Sequence, residues 1–335
     1  MLMSRAWSLK SRPNGMPVAS DFDLIDLPAT ALNEGDVRIA NRWLSVDPYM
    51  RGRMNDVKSY VPPFALGEPM QGGAIGEVIE SRAEGFAVGD VVQHFLGWRD
   101  EAVLPAAQVQ KLPALGVPPQ QFLGLLGMPG MTGYFGLLHV AEAKPGDVVF
   151  VSAAAGAVGS TVVQVAKASG MTVIGSAGGA DKCALVKGLG ADAVIDYKSD
   201  GPLLKKLLAA LQGLGKDGID VYFDNVGGEH LDAALATGNL HARFAICGMI
   251  DIYNSSKPTE LRYLARLIGM RMRMTGLLVS DHMGKAAEFY RVMGGWLAEG
   301  KLQNEETVFE GLDAMPDAFF GLFTGGNTGK MLVKL

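Results

Sequence analysis

Apolar positions repeat with two different periods along this chain. From residue 147 onward, Val148–Val151 is an unbroken run of β-formers, which predicts a buried strand. Val158, Thr161, Val162, Val165 and Ala166 then recur at helical spacing and mark one apolar helix face. Further strands are predicted over Met171–Ser176, Ala191–Tyr197, Gly218–Asn225 and Arg243–Gly248, with helices over Asp181–Leu189, Leu203–Leu211 and Glu229–Ala236. Strands alternating with helices at this spacing predict a parallel, doubly wound α/β sheet. Right-handed crossovers put all its strand carboxyl ends on one edge, where ligand groups gather.

The N-terminal region has the other period. Asp36–Ser45, Ala74–Glu80, Gly89–Phe95 and Glu101–Leu104 alternate like half-buried strands, with Gly and Pro between them. That pattern predicts a β-rich domain, a Gly-rich barrel. Thr307–Leu312 and Lys330–Leu335 are again strand-like and flank a helix near Met315–Phe323. The tail is therefore assigned to the β-rich domain. The expected division is 1–124 plus 296–335 for that domain, and 125–295 for an inserted Rossmann-type domain.

Between the first strand and helix of the inserted domain lies Ala154-Ala-Gly156-Ala-Val-Gly159. Strand, glycine turn and helix form the context a dinucleotide fingerprint requires, although its first glycine is alanine here. Small residues let the backbone approach a pyrophosphate, and the helix N-terminus offers free N–H groups. NAD-specific folds place an acid about twenty residues further on, to bind the ribose 2′-hydroxyl. This zone reads Ser176-Ala-Gly-Gly-Ala-Asp-Lys182, with no acid at the strand end. Lys182 in the first helical turn opposes the helix dipole unless a 2′-phosphate sits beside it; a solvated surface lysine is the alternative. The pattern favours NADPH over NADH.

Bulk properties narrow the class. The chain has 335 residues and a net charge of −5, which argues against nucleic-acid and anionic-membrane partners. Its two cysteines, Cys183 and Cys247, cannot build a disulfide framework, and with no apolar signal core at Met1–Trp7 a cytoplasmic protein is expected. Residues 122–141 are uncharged, yet Pro129 and five glycines make a buried connector into a helix a better reading than a membrane span. The five histidines are scattered, and no C-x-x-C spacing exists for structural zinc.

Six segments in order carry a resemblance over the whole chain. They are Val46-Asp-Pro-Tyr-Met-Arg51, Gly127-Met-Pro-Gly-Met-Thr-Gly-Tyr134, Ala154–Gly159, Phe223-Asp-Asn-Val-Gly-Gly228, Ile246–Asn254 and Gly326-Asn-Thr-Gly-Lys330. The sequence resembles the medium-chain dehydrogenase/reductase superfamily, and within it the zinc-independent leukotriene/prostaglandin reductase group that includes bacterial curcumin reductases. The resemblance implies a Rossmann-type sheet inserted in a GroES-like barrel domain, and NADPH-dependent reduction of the C=C bond of α,β-unsaturated ketones and aldehydes. It implies that Ala155, Gly156, Ala157, Val158 and Gly159 hold the pyrophosphate. Ser176, Lys182 and Tyr197 would lie at the adenosine phosphate, and Asn225 at ribose or adenine. Cys247, Gly248, Ile250 and Tyr253 would border the nicotinamide ribose. Leu277 and Leu278 would sit near the carboxamide, Thr132 against the nicotinamide, and Asn327 would reach the phosphates. Tyr49, Met50, Tyr60 and Met131 would line the substrate end. Zinc enzymes of the superfamily need a Cys near Ser45–Asp47 and a Gly-His-Glu near Leu66–Glu68; the matching positions hold Ser45 and Gly67, with only Glu68 as a possible ligand, so no metal is expected.

The implied reaction moves a hydride to the β-carbon of an enone and leaves charge on its carbonyl oxygen. A donor aimed at that oxygen lowers the barrier by roughly 3 kcal/mol. Tyr253 is the expected donor, and Tyr60 or water the proton source. Met50, Met54, Met70, Met128, Met131 and Met249 could soften an apolar cleft or simply fill core. Asp251 and the loop 255–261 depart from the group's pattern. A quinone reductase and an NADPH-binding sensor without activity are the rival readings. The group further implies a homodimer, and the apolar stretch Arg273–Val279 reads as the edge strand that would pair.

Overall fold

The computed structural model describes residues 4–335. Of the N-terminal stretch inspected for a signal, Met1–Met3 lie outside the described residues. The chain divides into two compact units, residues 1–123 with 306–335, and residues 124–305. The second boundary expected at 295/296 would cut a continuous helix, Ala286–Ala298; the α/β unit ends instead at Glu305.

The β-rich unit opens with a hairpin, β1 (Ser4–Leu9) and β2 (Phe22–Leu27), which the alternation did not reveal. Then follow β3 (Asp36–Ser45), the short helix α1 (Tyr49–Arg53), β4 (Ala74–Ser81), β5 (Val91–His94), β6 (Glu101–Pro105) and β7 (Gln110–Lys111). The chain leaves for the α/β unit through a 3-10 turn at Pro119–Leu123.

In the α/β unit, α2 (Met128–Phe135) runs into a π-helical turn, Gly136–Val140. The alternating block comes next: β8 (Val148–Val151), α3 (Ala157–Ala168), β9 (Thr172–Ala177), α4 (Ala180–Gly188), β10 (Ala193–Asp196) and α5 (Leu203–Gly213). It continues with β11 (Ile219–Asp224), α6 (Gly228–Thr237), β12 (Gly238–Ile246), α7 (Arg266–Met270), β13 (Arg273–Gly276) and α8 (Ala286–Ala298). The chain then re-enters the first unit with β14 (Glu306–Glu310), α9 (Met315–Thr324) and β15 (Lys330–Lys334).

The strand order of the α/β unit is β10-β9-β8-β11-β12-β13, with every pairing parallel. All four residues of β8 are buried, as a central strand covered on both faces requires. The order reverses between β8 and β11, so the ligand crevice of such a sheet opens at the carboxyl ends of these two strands. Helix α3 is buried from Gly159 to Ala166, more than one face deep. Its polar Gln164 is satisfied there: the amide nitrogen donates to Ser160 and Gln303 carbonyls, and Oε1 accepts the Gln303 N–H. The uncharged stretch 122–141 supplies α2, which lies on α3 with Gly133 against Thr161 and Val162. Among the described residues no helix is long and apolar enough to cross a membrane.

The β-rich unit is a mixed seven-stranded sheet, ordered β14-β15-β3-β4-β5-β7 with β6 also on β3. The ten-residue β3 pairs with β6 over Asp36–Ala40 and with β15 over Trp43–Ser45. Pairs β14 and β15 are parallel, joined by α9, so a small crossover unit is built into an otherwise antiparallel sheet. Its main core surrounds Trp98, Phe22 and Phe319, whose rings stack or meet edge-on. Met50, Met54 and Met70 belong to that core and are fully buried. Core filling, not cleft lining, is their place: Met50 accepts the Trp98 indole N–H on its sulfur at 3.3 Å and its terminal methyl lies against Gly72. Met50 is thereby removed from the expected substrate contacts.

Candidate active site

The glycine turn after β8 explains its own departure from the fingerprint. The left-handed residue is Ala153 (φ 47°), one place before the missing glycine. Ala154 needs no such freedom, and its methyl group is fully buried opposite Gly175 of β9. A Cβ at Gly175 would come within 3.0 Å of that methyl, so the bulk gained at one strand end is removed from its neighbour. Gly159 admits no substitute, because a Cβ there would collide with the Ala153 carbonyl. Ser160 is the first residue of α3 seen to bond back into the turn, to Gly156 O at 2.8 Å. The N–H groups of Ala157, Val158 and Gly159 therefore project from the helix end, which is an anion cradle.

The next strand end is basic. At the carboxyl end of β9, Gly178 lies under the Tyr197 ring; a Cβ there would be 2.8 Å from the phenol oxygen and 3.0 Å from Lys198 Cε. Asp196 turns inward to accept the N–H groups of Gly179 and Lys198, both at 2.9 Å. Burial, followed by the nearby Lys198 charge, lowers the Lys182 pKa. Lys182 and Lys198 are thus close enough to feel each other's charge beside this small-residue loop, whose strand-end acid, Asp196, is already engaged by backbone N–H groups. Lys198 escaped the sequence reading, since a lysine after a strand end carries no motif of its own; only the fold brings it to Lys182. Ser176, expected at the cofactor, is fully buried and pairs its hydroxyl with His230 Nε2 at 2.9 Å, while its carbonyl accepts Ala154 N–H. It supports the turn from below and offers no side-chain contact.

At the switch point, Asn225 is tied across from β11 to β8. Its N–H donates to Ser152 Oγ at 2.9 Å and its side-chain Nδ2 to Ser152 O at 2.8 Å, leaving Oδ1 for a ligand. Asp224 beneath it is fully buried; its Oδ1 accepts the Tyr222 hydroxyl and the Gly227 N–H, and burial raises its pKa. Gly248 is obligatory, since a Cβ would lie 2.6 Å from Asn225 O. Burial, with Asp224 second, pushes the Cys247 thiol up to about 12, so it stays a neutral thiol. Left-handed Met249 (φ 51°) starts the 3-10 turn Ile250–Ile252, and Tyr253 follows it, half-buried, its N–H donating to Ile250 O. The Asp251 carboxylate lies over Gly228 in the first turn of α6, where the helix end favours an anion.

The remaining expected residues of this unit divide by exposure. Thr132 is buried and donates its hydroxyl hydrogen to Met128 O at 2.7 Å, which leaves its oxygen lone pairs to accept from a ligand. Met131 is buried beside it in sequence. Leu277 is buried, with its side chain beside Gly136, one helical turn beyond Thr132; Leu278 is exposed. In the β-rich unit, Tyr49 is half-buried, with its phenol pKa driven upward by burial and then by Asp47. Tyr60 is 63 % exposed on a loop. Asn327 donates from Nδ2 to Gly329 O at 2.9 Å. Nearby in the chain, buried Lys330 donates to Val46 O at 2.8 Å and to Asp47 Oδ1 at 2.7 Å, and Asp47 also accepts the Ser45 hydroxyl. Among the described residues no group of three His, Cys, Asp or Glu side chains is arranged as metal ligands.

Known proteins with the same organisation match the chain over its length. Residues 5–112 match the family model described as N-terminal domain of oxidoreductase, and residues 157–295 that of zinc-binding dehydrogenase. The 2-alkenal reductase (NADP(+)-dependent) of Nicotiana tabacum is 40 % identical, covering 98 % of this chain and 96 % of that protein. The NADPH-dependent curcumin reductase of Escherichia coli (strain K12) is 38 % identical, covering 99 % and 97 %. The chain belongs to the zinc-independent group of medium-chain dehydrogenases/reductases. Among solved structures, CurA from Vibrio vulnificus in complex with NADPH superposes with a TM-score of 0.90 at 40 % identity, covering 98 % of each chain. A quinone oxidoreductase of Escherichia coli complexed with NADPH reaches a TM-score of 0.78 at 21 % identity, which shares the fold alone.

Proposed function

We propose that this protein uses NADPH to reduce the C=C bond of α,β-unsaturated ketones and aldehydes. The observation that carries the reading is full-length likeness, near 40 % identity, to reductases named for alkenal and curcumin. The quinone alternative rests on neighbours at 24 % identity or less and is set aside.

The residues present fit NADPH. The cradle at Ala157–Gly159, which a Cβ at Gly159 would destroy, accepts the pyrophosphate. Lys182 and Lys198, with Tyr197, take the 2′-phosphate, a dianion that relieves the repulsion between the two ammonium groups. Asn225 Oδ1, Gly248 and Ile250 border the ribose of the nicotinamide half, with Thr132 as an acceptor. Bound there, NADPH supplies hydride to an electron-poor carbon. Tyr253 donates a hydrogen bond to the substrate carbonyl oxygen, which stabilises the enolate charge by roughly 3 kcal/mol. Tyr60 in the β-rich unit is the candidate proton source, and Tyr49, held neutral, is a wall residue.

Association as a homodimer belongs to the same reading. Strand β13 ends the sheet order, and Leu264, Ile268 and Met283 in the flanking segments are exposed. Light scattering is expected to give twice the chain mass; a single species at the chain mass overturns pairing. The reading as a whole is tested by loss of NADPH absorbance with methyl vinyl ketone, crotonaldehyde and benzoquinone, with NADH as control. Rapid turnover of the first two with NADPH is expected. Consumption no faster than without substrate overturns it.

A further inference from the structure

The loop from Met54 to Leu66 carries Tyr60 and has almost no backbone ladder of its own. A segment of this kind takes its position from side-chain anchors. Arg12 and Arg51 tie down its beginning, through Met54 O and the Asn55 side chain. Ties to four residues, Tyr49, Pro62, Phe64 and Gln71, converge instead on one buried residue, Arg53, at the end of α1. Its Nε–H donates to Pro62 O at 2.9 Å and its Nη2 to Gln71 Oε1 at 2.9 Å. The guanidinium lies 4.1 Å over the Phe64 ring, and the Arg53 carbonyl accepts the Phe64 N–H at 2.7 Å. The Tyr49 hydroxyl is a further hydrogen-bonding partner of the same guanidinium.

We infer that Arg53 is a positioning residue for the enone end of the reaction, a clamp that holds the Tyr60 loop and the Tyr49 ring in one arrangement. The planar fork explains why arginine stands here: it bonds two oxygens in its plane while one face covers an aromatic ring. Lysine would supply the charge without the fork. Four methylenes and an ammonium cannot reach Pro62 O and Gln71 Oε1 together in that plane. The residue lies two places beyond the shared Val46–Arg51 segment, and no spacing rule marks it. The inference rests on the proposed reading for the substrate and for the roles of Tyr60 and Tyr49 toward it; the clamp itself is a property of the β-rich unit.

The test compares wild type with Arg53→Lys and Arg53→Met, using methyl vinyl ketone as substrate. Misplacing the loop by about 1 Å is expected to lower kcat/KM for the enone by roughly ten- to a hundredfold in Arg53→Met, with Arg53→Lys between it and wild type. KM for NADPH stays at the wild-type value, a split that general unfolding would not give. Hydrogen exchange of the 57–65 peptide accelerates in Arg53→Met and is restored in part by lysine. Should Arg53→Met fail to fold, Phe64→Leu removes the ring partner alone and must give the same pattern more weakly. Wild-type kcat/KM in a folded Arg53→Met, or unchanged loop exchange, overturns the clamp. If wild type reduces no enone, the proposed function fails separately, and loop exchange alone then decides the inference.

Discussion

His94 makes acid the most informative perturbation of this fold. Its two ring nitrogens are committed in opposite senses. The Asn41 amide nitrogen donates to Leu96 O and Arg99 O at 3.2 and 2.9 Å, so Asn41 Oδ1 faces the imidazole. Nε2, 2.9 Å away, must carry the hydrogen, and Nδ1 accepts the Leu96 N–H at 3.1 Å. A second proton on Nδ1 would set N–H against N–H in a site 1 % exposed. Burial, with Arg99 second, lowers the pKa from 6.5 to about 4. The folded pKa is below the unfolded one, so this stability is complete above about pH 6.5 and is lost as pH falls toward 4. Between about pH 7.5 and pH 5 the loss from one such histidine is about 2 kcal/mol. His230 has its pKa lowered to about 4 by burial and adds a similar loss in the α/β unit. Urea unfolding followed by tryptophan fluorescence reports mainly the β-rich unit, which holds Trp7, Trp43 and Trp98 of the four tryptophans. His94→Gln is expected to lose about 2 kcal/mol less than wild type over that pH range. Parallel stability–pH lines for the two proteins would refute the reasoning.

Three further outcomes follow from the site. Gly159→Ala forces a methyl into the Ala153 carbonyl; a stability loss of about 1–3 kcal/mol in urea titrations and a sharp fall in NADPH affinity by calorimetry are expected. Lys182→Ala removes a charge worth about 4 kcal/mol at ~4 Å before desolvation, so NADPH affinity should fall roughly ten- to a hundredfold while NADH affinity is unchanged. Combining it with Lys198→Ala should deepen the NADPH loss, and equal losses for NADH would remove both lysines from the 2′-phosphate. Tyr253→Phe should lower kcat on methyl vinyl ketone about a hundredfold, and wild-type turnover would take Tyr253 out of the reaction.

Local pattern determined the α/β unit because its central strands are covered on both faces. Val148–Val151 must be apolar throughout to sit in the middle of the sheet, and the 3.6-residue stripe of α3 must face it, so period and composition marked the elements from β8 to α6 within about two residues, whereas β12 begins at Gly238, five residues before the expected Arg243. The hairpin β1–β2 left weaker marks, since β2 carries only one fully buried residue. Helix α8 buries only Phe289 and Met293, and it displaced the expected domain boundary. Side-chain roles depended more on tertiary packing. Ser176 and Met50 stand in the right segments, yet each points into a core or pairs beneath the surface. The converse holds for Lys198 and Arg53, which no motif marks. One acquires its meaning by standing next to Lys182, the other by the loop it holds. A motif fixes where the backbone goes because backbone geometry is local. Which way a side chain faces, and what it meets there, is decided by residues far along the chain, and only the folded molecule brings those together.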